Sequence, residues 1–472
     1  MYTYQDLLKF GDNEEAKMAF CLDVIKEHKG TMMYKMAVQA DEYDAHRNTT
    51  IMNYQKFLYN LKGQAVPDRF TPNYKLPSNF FNSFITQTNQ YLLGNGVQIS
   101  TDSKAKNAAQ KEKDKLGKRF DNQLQKGGRY ALLHGVSFGF WNYDHMEVFK
   151  FTEFAPLKDE ENGSLMAGIR FWQIAPEKPL RFNLYEEDGY TEYIERVGQK
   201  PEIMQPKRAY IIHTTTDGIG NEIREGENYP TFPIVPLWGN LQHQSELVGT
   251  QYSIDCYDLI KSGFANDLDD VSSIYWILHN SGGMEDTDLA KFVERIKTIR
   301  AVNVDTDSGQ AADAHTLEVP HEARTAYLAR LEQDLYRDFQ IVNVTSISGG
   351  QKTATEIMAA YTPMDAKVDQ FEYCVLDFLE AIFALAGVEG SATFKRSRVV
   401  NQTEETEMVI SAAQYLDDEA VLNHLPWLTP EEADDILQRR DDKIAQSALQ
   451  QPKSGNSDDV GEEDGDDLTD EE

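Results

Sequence analysis

One loop of the chain has the residue types of a phosphate-binding loop. It reads Ser348-Gly349-Gly350-Gln351-Lys352-Thr353, and glycine N–H groups beside a lysine are what such loops use to hold phosphate. The spacing does not fit, because a Walker A loop requires glycine directly before the lysine. Gln351 stands there instead, and a predicted helix rather than a strand precedes the loop. Nucleotide binding is therefore not predicted.

A second pattern begins like a zinc-binding helix. His321-Glu322 has the first two residues of that motif, but Thr325 stands where the second histidine must be. The other histidines are scattered, and no Ser-His-Asp order stands out. The sequence predicts no catalytic residue, no metal site and no cofactor.

An acidic cluster, Asp267, Asp269 and Asp270, is the third candidate for chemistry. Carboxylates are suitable ligands for Mg²⁺. On a helix, residues 267 and 270 share a face while residue 269 points away. The acidic end of a solvent-facing helix is the simpler interpretation. A metal-dependent nuclease or hydrolase using Asp267 and Asp270 is the enzymatic alternative.

The overall charge limits the ways in which the chain can meet nucleic acid. Its 472 residues include 46 Lys plus Arg and 78 Asp plus Glu, for a formal net charge of −32. Broad binding of phosphates needs cations that release counterions, so extensive nucleic-acid binding is not predicted. An acidic wall can still surround nucleic acid, because it repels phosphates and prevents sticking. Simple solubility is the other explanation of this charge.

The cysteines and the apolar pattern indicate a cytosolic protein. Cys21, Cys256 and Cys374 are too few and too scattered for a disulfide framework or a zinc site. The N-terminal residues lack the basic and apolar regions of a signal peptide. No uninterrupted apolar window reaches the ~18 residues of a membrane span, so no membrane association is predicted.

The first third of the chain reads as helical. Apolar spacing predicts helices over residues 6–29 and 34–46, and another of about fifteen residues from Ser78 or Asn79 to a C-cap at Gly94. Residues 104–127 form a strongly charged pattern, which predicts a helix on the surface.

Between residues 130 and 235 the pattern changes to strands. Alternation predicts strands over residues 146–151, 168–174 and 209–213. Turn signals separate such strands at Asn162-Gly163, Asp188-Gly189 and Asp217-Gly218. The sequence therefore predicts an antiparallel sheet within an α+β body, closed by residues 233–238.

A stalk is predicted next. Its first helix carries apolar residues at helical spacing, namely Leu247, Ile254, Tyr257, Ile260, Phe264 and Leu268. A small αβ insert of about fifty residues follows, then a return helix over residues 321–342 and the small-residue loop described above. After it come a long helix over residues 355–386 interrupted by Pro363, short helices over residues 404–446, and an acidic tail from residue 451 predicted to be disordered.

This order of elements resembles the portal proteins of tailed bacteriophages of the siphophage type, over residues 25–450. No single piece is diagnostic, and the resemblance rests on the order and spacing of several pieces together. The carriers are Leu76-Pro77-Ser78-Asn79-Phe80-Phe81, Tyr91-Leu92-Leu93-Gly94-Asn95-Gly96, Pro233-Ile234-Val235-Pro236-Leu237, Asn266-Asp267-Leu268-Asp269-Asp270 and Ser348-Gly349-Gly350. The chain departs from the family in its short C-terminal region and in having only Lys352 as a basic residue around the loop.

The resemblance implies a multidomain, ring-forming portal fold, usually a dodecamer, located at one vertex of the virion capsid and assembled in the bacterial cytoplasm. The implied domains are a wing (1–242), two stem helices (243–271 and 321–342), a clip (272–320), a tunnel loop (343–354), a kinked wing helix (355–387), a crown (388–450) and an acidic tail (451–472).

The resemblance also implies partners and site residues. Double-stranded DNA would pass the tunnel loop, which contains Thr345, Ser346, Ile347, Ser348, Gly349, Gly350, Gln351 and Lys352. The terminase large subunit and the head-tail adaptor would dock on the clip, where the candidate contacts are Tyr275, Trp276, Lys291, Arg295 and Arg300. Major capsid and scaffolding proteins would contact the wing. The alternative without enzymatic activity is another capsid assembly protein.

Overall fold

The structure is a computed structural model. It describes residues 2–59, 63–69, 71–101, 107–216, 222–270, 321–344, 354–397, 402–425, 428, 433 and 436–440. The chain divides into a larger unit, Met1–Gly349 with Ala359–Arg398, and a smaller unit, Gly350–Met358 with Val399–Glu472. Within the described residues, no helix is long and apolar enough to cross a membrane.

The larger unit contains most of the helices. They are α1 (Tyr4–Leu8), α2 (Glu14–Gly30), α3 (Met32–Asp44), α4 (Thr49–Asn53), α5 (Phe80–Leu93), α6 (Ala108–Asp114), α7 (Phe120–His134), α8 (Gln251–Asp270), α9 (His321–Asp338) and α10 (Ala354–Ala386), whose first residues belong to the smaller unit.

Its strands are short and numerous. They are β1 (Phe57–Tyr59), β2 (Ala65–Pro67), β3 (Val97–Ser100), β4 (Val136–Asn142), β5 (His145–Lys150), β6 (Phe154–Lys158), β7 (Leu165–Trp172), β8 (Leu180–Glu186), β9 (Gly189–Glu195), β10 (Glu202–Arg208), β11 (Ile211–Thr216), β12 (Glu222–Glu227), β13 (Ile234–Trp238) and β14 (Ser391–Phe394).

Every strand pairing among the described residues is antiparallel. One sheet has the order β10-β9-β8-β7-β6, a second has the order β13-β4-β5, and β1-β2, β11-β12 and β14-β3 form pairs. Gly163 has φ of +71° in the connection after β6, and Gly189, with φ of +139°, is the first residue of β9 after the two-residue loop Glu187-Asp188. The Asn-Gly and Asp-Gly signals therefore mark both connections. The predicted turn at 217–218 lies outside the described residues. The α+β class is confirmed.

The helix α2 packs on the five-stranded sheet. Its buried residues Phe20, Cys21, Val24 and Ile25 share a core with Ile169, Phe182, Leu184 and Tyr193 of the sheet. The predicted single helix over residues 6–29 is wrong at its start, because a turn separates α1 from α2. Gly11 has φ +51° in that turn, and the Asn13 side chain caps α2 by accepting from the N–H of Ala16 at 3.1 Å.

The charged helix predicted over residues 104–127 is also wrong. The helix α6 ends at Asp114, the turn includes Gly117 with φ +82°, and α7 then continues to His134. The helix α7 is a core helix, with Leu124, Ala131 and Leu132 buried. The Gly127-Gly128 pair lies inside this helix and lets neighbouring elements pack closely against it. The sequence pattern instead predicts the end of a helix at Gly127.

Helix α5 confirms the predicted helix from Asn79 to Gly94. Asn79 is its N-cap residue, although no side-chain hydrogen bond caps the helix there. Gly94 follows the last turn in a right-handed conformation with φ −61°, and Gly96 has the left-handed φ of +72°. The predicted long helix over residues 355–386 is confirmed as α10, with Pro363 inside it.

The smaller unit contains α11 (Gln402–Ala412) and α12 (Asp418–His424), which contact each other. Asp417 caps α12 by accepting from the N–H of Ala420 at 2.9 Å, and Asp418 pairs with Arg440 at 2.7 Å. Short helices are confirmed here. The strand β14, which belongs to the larger unit, was not predicted. It pairs with β3 of the same unit.

Candidate functional site: the root of the stalk

The helices α8 and α9, here called the stalk, form an antiparallel pair. Arg324, near the start of α9, is ion-paired with Asp267, near the end of α8. At the other end, Phe80 contacts both Tyr257 of α8 and Tyr336 of α9, with ring centroids 4.9 and 6.3 Å apart. The predicted pair of outgoing and returning helices is therefore observed.

The site residues predicted from the sequence lie beyond these helices. The loop residues 345–352 and the insert residues Tyr275, Trp276, Lys291, Arg295 and Arg300 are all outside the described residues. The structure shows how the chain is held on either side of them. The body-side parts of α8 and α9, together with the residues that hold them, are here called the root of the stalk. This root is the candidate functional site.

The side of α8 that faces the body is mainly polar. Among its described side chains, the buried ones are Ile254, Asp255, Asp258, Ser262 and Asn266. The predicted apolar face is thus only partly correct, since Leu247 and Ile254 are buried but Leu268 is 56% exposed. Buried polar groups need hydrogen-bond partners, and the partners here come from the N-terminal part of the chain.

One row of partners is the segment Tyr74–Ser78, here called the strap. Its alternate backbone N–H groups donate to successive turns of α8. Ser78 donates to Asp258 Oδ1 at 2.8 Å, Leu76 to Ser262 Oγ at 3.0 Å, and Tyr74 to Asn266 Oδ1 at 2.7 Å.

The spacing of the donating N–H groups along the strap matches the spacing of the accepting side chains along α8. Two extended residues span about 6.6 Å, and four helical residues span about 6 Å. The side chains of α8 therefore meet the strap in register without distortion. Pro77 suits this arrangement because a proline favours an extended conformation in the residue before it, Leu76.

A second row of partners lies on α3, on α4 and at Asn48 in the connection between them. Tyr43 donates its hydroxyl to Asp255 Oδ1, Thr50 donates to Asp255 Oδ2 at 2.7 Å, and Asn48 Nδ2 donates to Asp258 Oδ2 at 2.5 Å. Asp258 is fully buried, and burial raises the pKa of its carboxyl, an effect that the hydrogen bonds from Asn48 and Ser78 oppose.

Aromatic rings hold the return helix to α5. Phe84 contacts Tyr336 and Phe339 with centroid distances of 5.1 and 4.6 Å. Beyond the end of α9, Phe339, Ile341 and Val342 are buried. The chain is therefore fixed almost up to residue 344, where the described part ends before the loop.

A lysine on α10 joins three parts of the root. Lys367 Nζ lies 2.7 Å from Glu246 Oε2, just before α8, and donates to the carbonyl oxygen of Phe339 at 3.1 Å. Both side chains of the ion pair are largely buried, with 16% and 15% exposed. The start of α8 and the end of α9 are thus tied to the same point of α10.

The acidic cluster has structural partners. Asp267 pairs with Arg324, and Asp269 accepts from the Tyr74 hydroxyl at 3.2 Å. The side chain of Asp270 is outside the described set. In the part of the chain that the structure describes, no group of three His, Cys, Asp or Glu side chains could hold a metal ion.

Sequence reasoning missed the strap, Tyr43, Asn48 and Thr50. One signal was available: Asp255, Asp258, Ser262 and Asn266 recur at helical spacing. Two segments singled out for the family resemblance, residues 76–81 and 266–270, both contribute to this root, since Leu76 donates to Ser262 and Asn266 accepts from Tyr74.

Comparison with known proteins identifies the family. A family profile described as "Phage portal protein, SPP1 Gp6-like" matches residues 35–446. The portal protein of Bacillus phage SPP1 is 23% identical over 441 residues, which cover 86% of this chain and 84% of the relative. The portal protein of Clostridium phage phiCD119 is 27% identical over 232 residues, or 47% of this chain and 51% of the relative, so that alignment spans about half of each.

Among solved structures, a chain in the neck of an empty GTA particle, computed with C6 symmetry, aligns with a TM-score of 0.38 and 11% identity. That alignment covers 74% of this chain and 90% of the other. This score is too low to support an argument. The profile match covers nearly the whole chain, and the chain belongs to the SPP1 Gp6-like family of phage portal proteins.

Proposed function

We propose that this chain assembles into a ring of about twelve copies with cyclic symmetry at one vertex of a phage capsid, and that double-stranded DNA enters and leaves through the ring. Family membership supports the proposal. The observation that carries it is the stalk, because two antiparallel helices are anchored to one body and the loop comes directly after the returning helix.

The parts of the chain have distinct roles in this proposal. Residues 1–242 form the wing, 243–271 and 321–342 the stem, 272–320 the clip, 343–354 the tunnel loop, 355–387 the kinked wing helix, 388–450 the crown and 451–472 an acidic tail. The terminase large subunit and later the head-tail adaptor dock on the clip through Tyr275, Trp276, Lys291, Arg295 and Arg300. Major capsid and scaffolding proteins contact the wing.

The charge of the chain suits a channel that DNA must slide through. Duplex DNA presents one charge per ~1.7 Å of its axis, so a basic wall would hold it through counterion release. With a net charge of −32, this chain does not present such a wall. In the tunnel loop, Lys352 supplies an isolated phosphate contact and the small residues Ser348, Gly349 and Gly350 let the loop change shape.

A loop replacement tests this role. Changing residues 346–351 to a stiff sequence of equal length, with Lys352→Ala as a separate variant, is expected to lower DNA packaging while rings still form. The packaged DNA per particle and ring formation by electron microscopy are the two readouts. A control variant carries a change of equal length in the acidic tail. Normal packaging by the loop variant contradicts the proposal for the loop.

A further inference from the structure

The region around the start of α7 is basic in an otherwise acidic chain. Residues 107–129 contain seven Lys plus Arg and three Asp plus Glu, although the whole chain has a net charge of −32. Lys118, Arg119 and Lys126 are exposed and are here called the basic stripe. Within the described residues, the ion pairs of this region use other cations, namely Lys113, Lys115 and Arg129.

The helix α10 carries the opposite charge. Its residues 354–386 contain six Asp plus Glu and a single lysine. Tyr373, Asp377 and Glu380 follow one another at helical spacing on its exposed face, and Tyr373 is 66% exposed. These three residues are here called the acidic stripe. Neither of its two carboxylates forms an ion pair with a described residue.

The two stripes face away from each other within one chain. A Cβ at Gly128 would lie 3.2 Å from Phe371 Cζ, so α7 and α10 touch at this point of the larger unit. Lys126 is two residues from Gly128, and Tyr373 is two residues from Phe371. Two residues are about 200° around a helix, so each stripe lies on the side opposite to the contact. The stripes of one chain therefore cannot pair with each other, but they can pair with those of other copies.

A ring of this chain needs such an arrangement. Copies with a large net charge of one sign repel each other. Closed rings of many copies use heterologous interfaces, in which two different surfaces of the chain meet, and complementary charges at an interface exclude wrong arrangements and fix the register. The stripes also match in length, because seven residues separate Arg119 from Lys126 and Tyr373 from Glu380, about 10 Å along each helix.

We propose that the basic stripe of one copy docks on the acidic stripe of the next copy around the ring. Lys118 and Lys126 then face Asp377 and Glu380 of the neighbour, and Tyr373 supplies an aromatic contact of the kind enriched at the centre of interfaces. The inference rests on the ring proposed above and adds which two surfaces hold it together. Single exposed ion pairs contribute little, so its test reverses two charges at a time.

Charge reversal tests the pairing in the full-length protein. Lys118→Glu with Lys126→Glu gives both stripes a net negative charge, and Asp377→Lys with Glu380→Lys gives both a net positive charge. Either variant alone should therefore lose its rings in electron micrographs and remain monomeric by native mass measurement. Mixed in equal amounts, the two variants should form rings in which they alternate, because every negative stripe then meets a positive one.

The matched control is Lys178→Glu with Lys200→Glu, which makes the same change of charge at exposed lysines outside the stripes and should leave rings intact. Assembly in the mixture also shows that the variants are folded. Rings formed by either variant alone, or folded variants that stay monomeric in the mixture, overturn the pairing while the ring itself stands. A wild type that forms no ring, with or without a scaffolding protein, overturns the ring and the pairing together.

A zero-length crosslink on wild-type rings does not depend on the variants. A carbodiimide joins a lysine amine to a carboxylate with which it is paired. In rings made from unlabelled and heavy-isotope-labelled protein, mass spectrometry should find Lys118 or Lys126 joined to Asp377 or Glu380 of a differently labelled copy. Products that join these lysines only to other carboxylates contradict the proposal.

Discussion

At the residue scale, Asp258 is the group of the root that depends most on its hydrogen-bond donors. It is fully buried and accepts from the Ser78 backbone and the Asn48 side chain. Asp258→Ala leaves both donors buried and unpaired, so we expect the free energy of unfolding to fall by about 2–4 kcal/mol. Urea denaturation measures it. Asp269→Ala is the matched control on the same helix, and an equal loss in both variants would contradict this account.

The raised pKa of Asp258 gives a pH dependence with a definite sign. The carboxyl binds its proton more tightly in the folded chain than in the unfolded chain. Its contribution to stability is therefore fully present below its ordinary pKa and is lost as pH rises through the raised value. The stability of wild type relative to Asp258→Asn should fall as pH rises across that window. A relative stability that increases with pH would refute the assignment.

Arg396 is the corresponding anchor on the far side of α10. It contacts Asp365 at 3.0 Å, Glu372 at 2.6 Å and also Asp369, and these carboxylates raise the pKa of its guanidinium.

We expect Arg396→Met to lower the free energy of unfolding by about 1–2 kcal/mol, because three carboxylates lose their shared cation. Thermal or urea unfolding measures the loss. Arg330→Met is the control, since Arg330 is 65% exposed and pairs only within its own helix with Asp334 among the described residues. Its cost should be below about 0.5 kcal/mol. Equal losses in the free energy of unfolding of the two variants would show that the ion pairs of Arg396 do not stabilise the fold.

At the scale of elements, a local sequence pattern predicted the structure correctly where that pattern is typical of only one kind of element. Alternation correctly predicted strands at β5, β7 and β11, and the Asn-Gly and Asp-Gly signals marked the connections before β7 and β9, where Gly163 and Gly189 have positive φ. The spacing of apolar residues predicted α8 as a helix but did not identify which of its faces is buried. The face toward the body is mainly polar, and its partners are far away in sequence, 180 residues in the case of Ser78 and Asp258. No local pattern carries that information.

Gly128 shows why α7 was misread. A Cβ at that position would lie 2.6 Å from both Asn89 Oδ1 and Leu93 Cδ1, so the glycine allows α5 and α7 to approach closely. Gly128→Ala is expected to destabilise the protein by about 1–3 kcal/mol through overpacking. Gly30→Ala, where nothing lies within 4 Å, is the control and should be neutral. Urea unfolding compares them, and a neutral Gly128→Ala would contradict the close approach.

At the scale of the whole molecule, the root ties both helices of the stalk to one body. The beginning of α8 and the end of α9 are tied to the same lysine on α10, and α8 is hydrogen-bonded along the strap. A load on residues 271–320 would therefore reach the body through directional bonds as well as apolar packing. This construction suits the proposed docking of the terminase large subunit on residues 272–320.

The central claim is that the chain forms a ring with an open centre. Negative-stain electron microscopy of the purified full-length protein, combined with native mass measurement, tests it most directly. The account predicts closed rings of about twelve copies with a central hole, in protein produced alone or together with a scaffolding protein. A compact dimer with a filled centre under both conditions would contradict it.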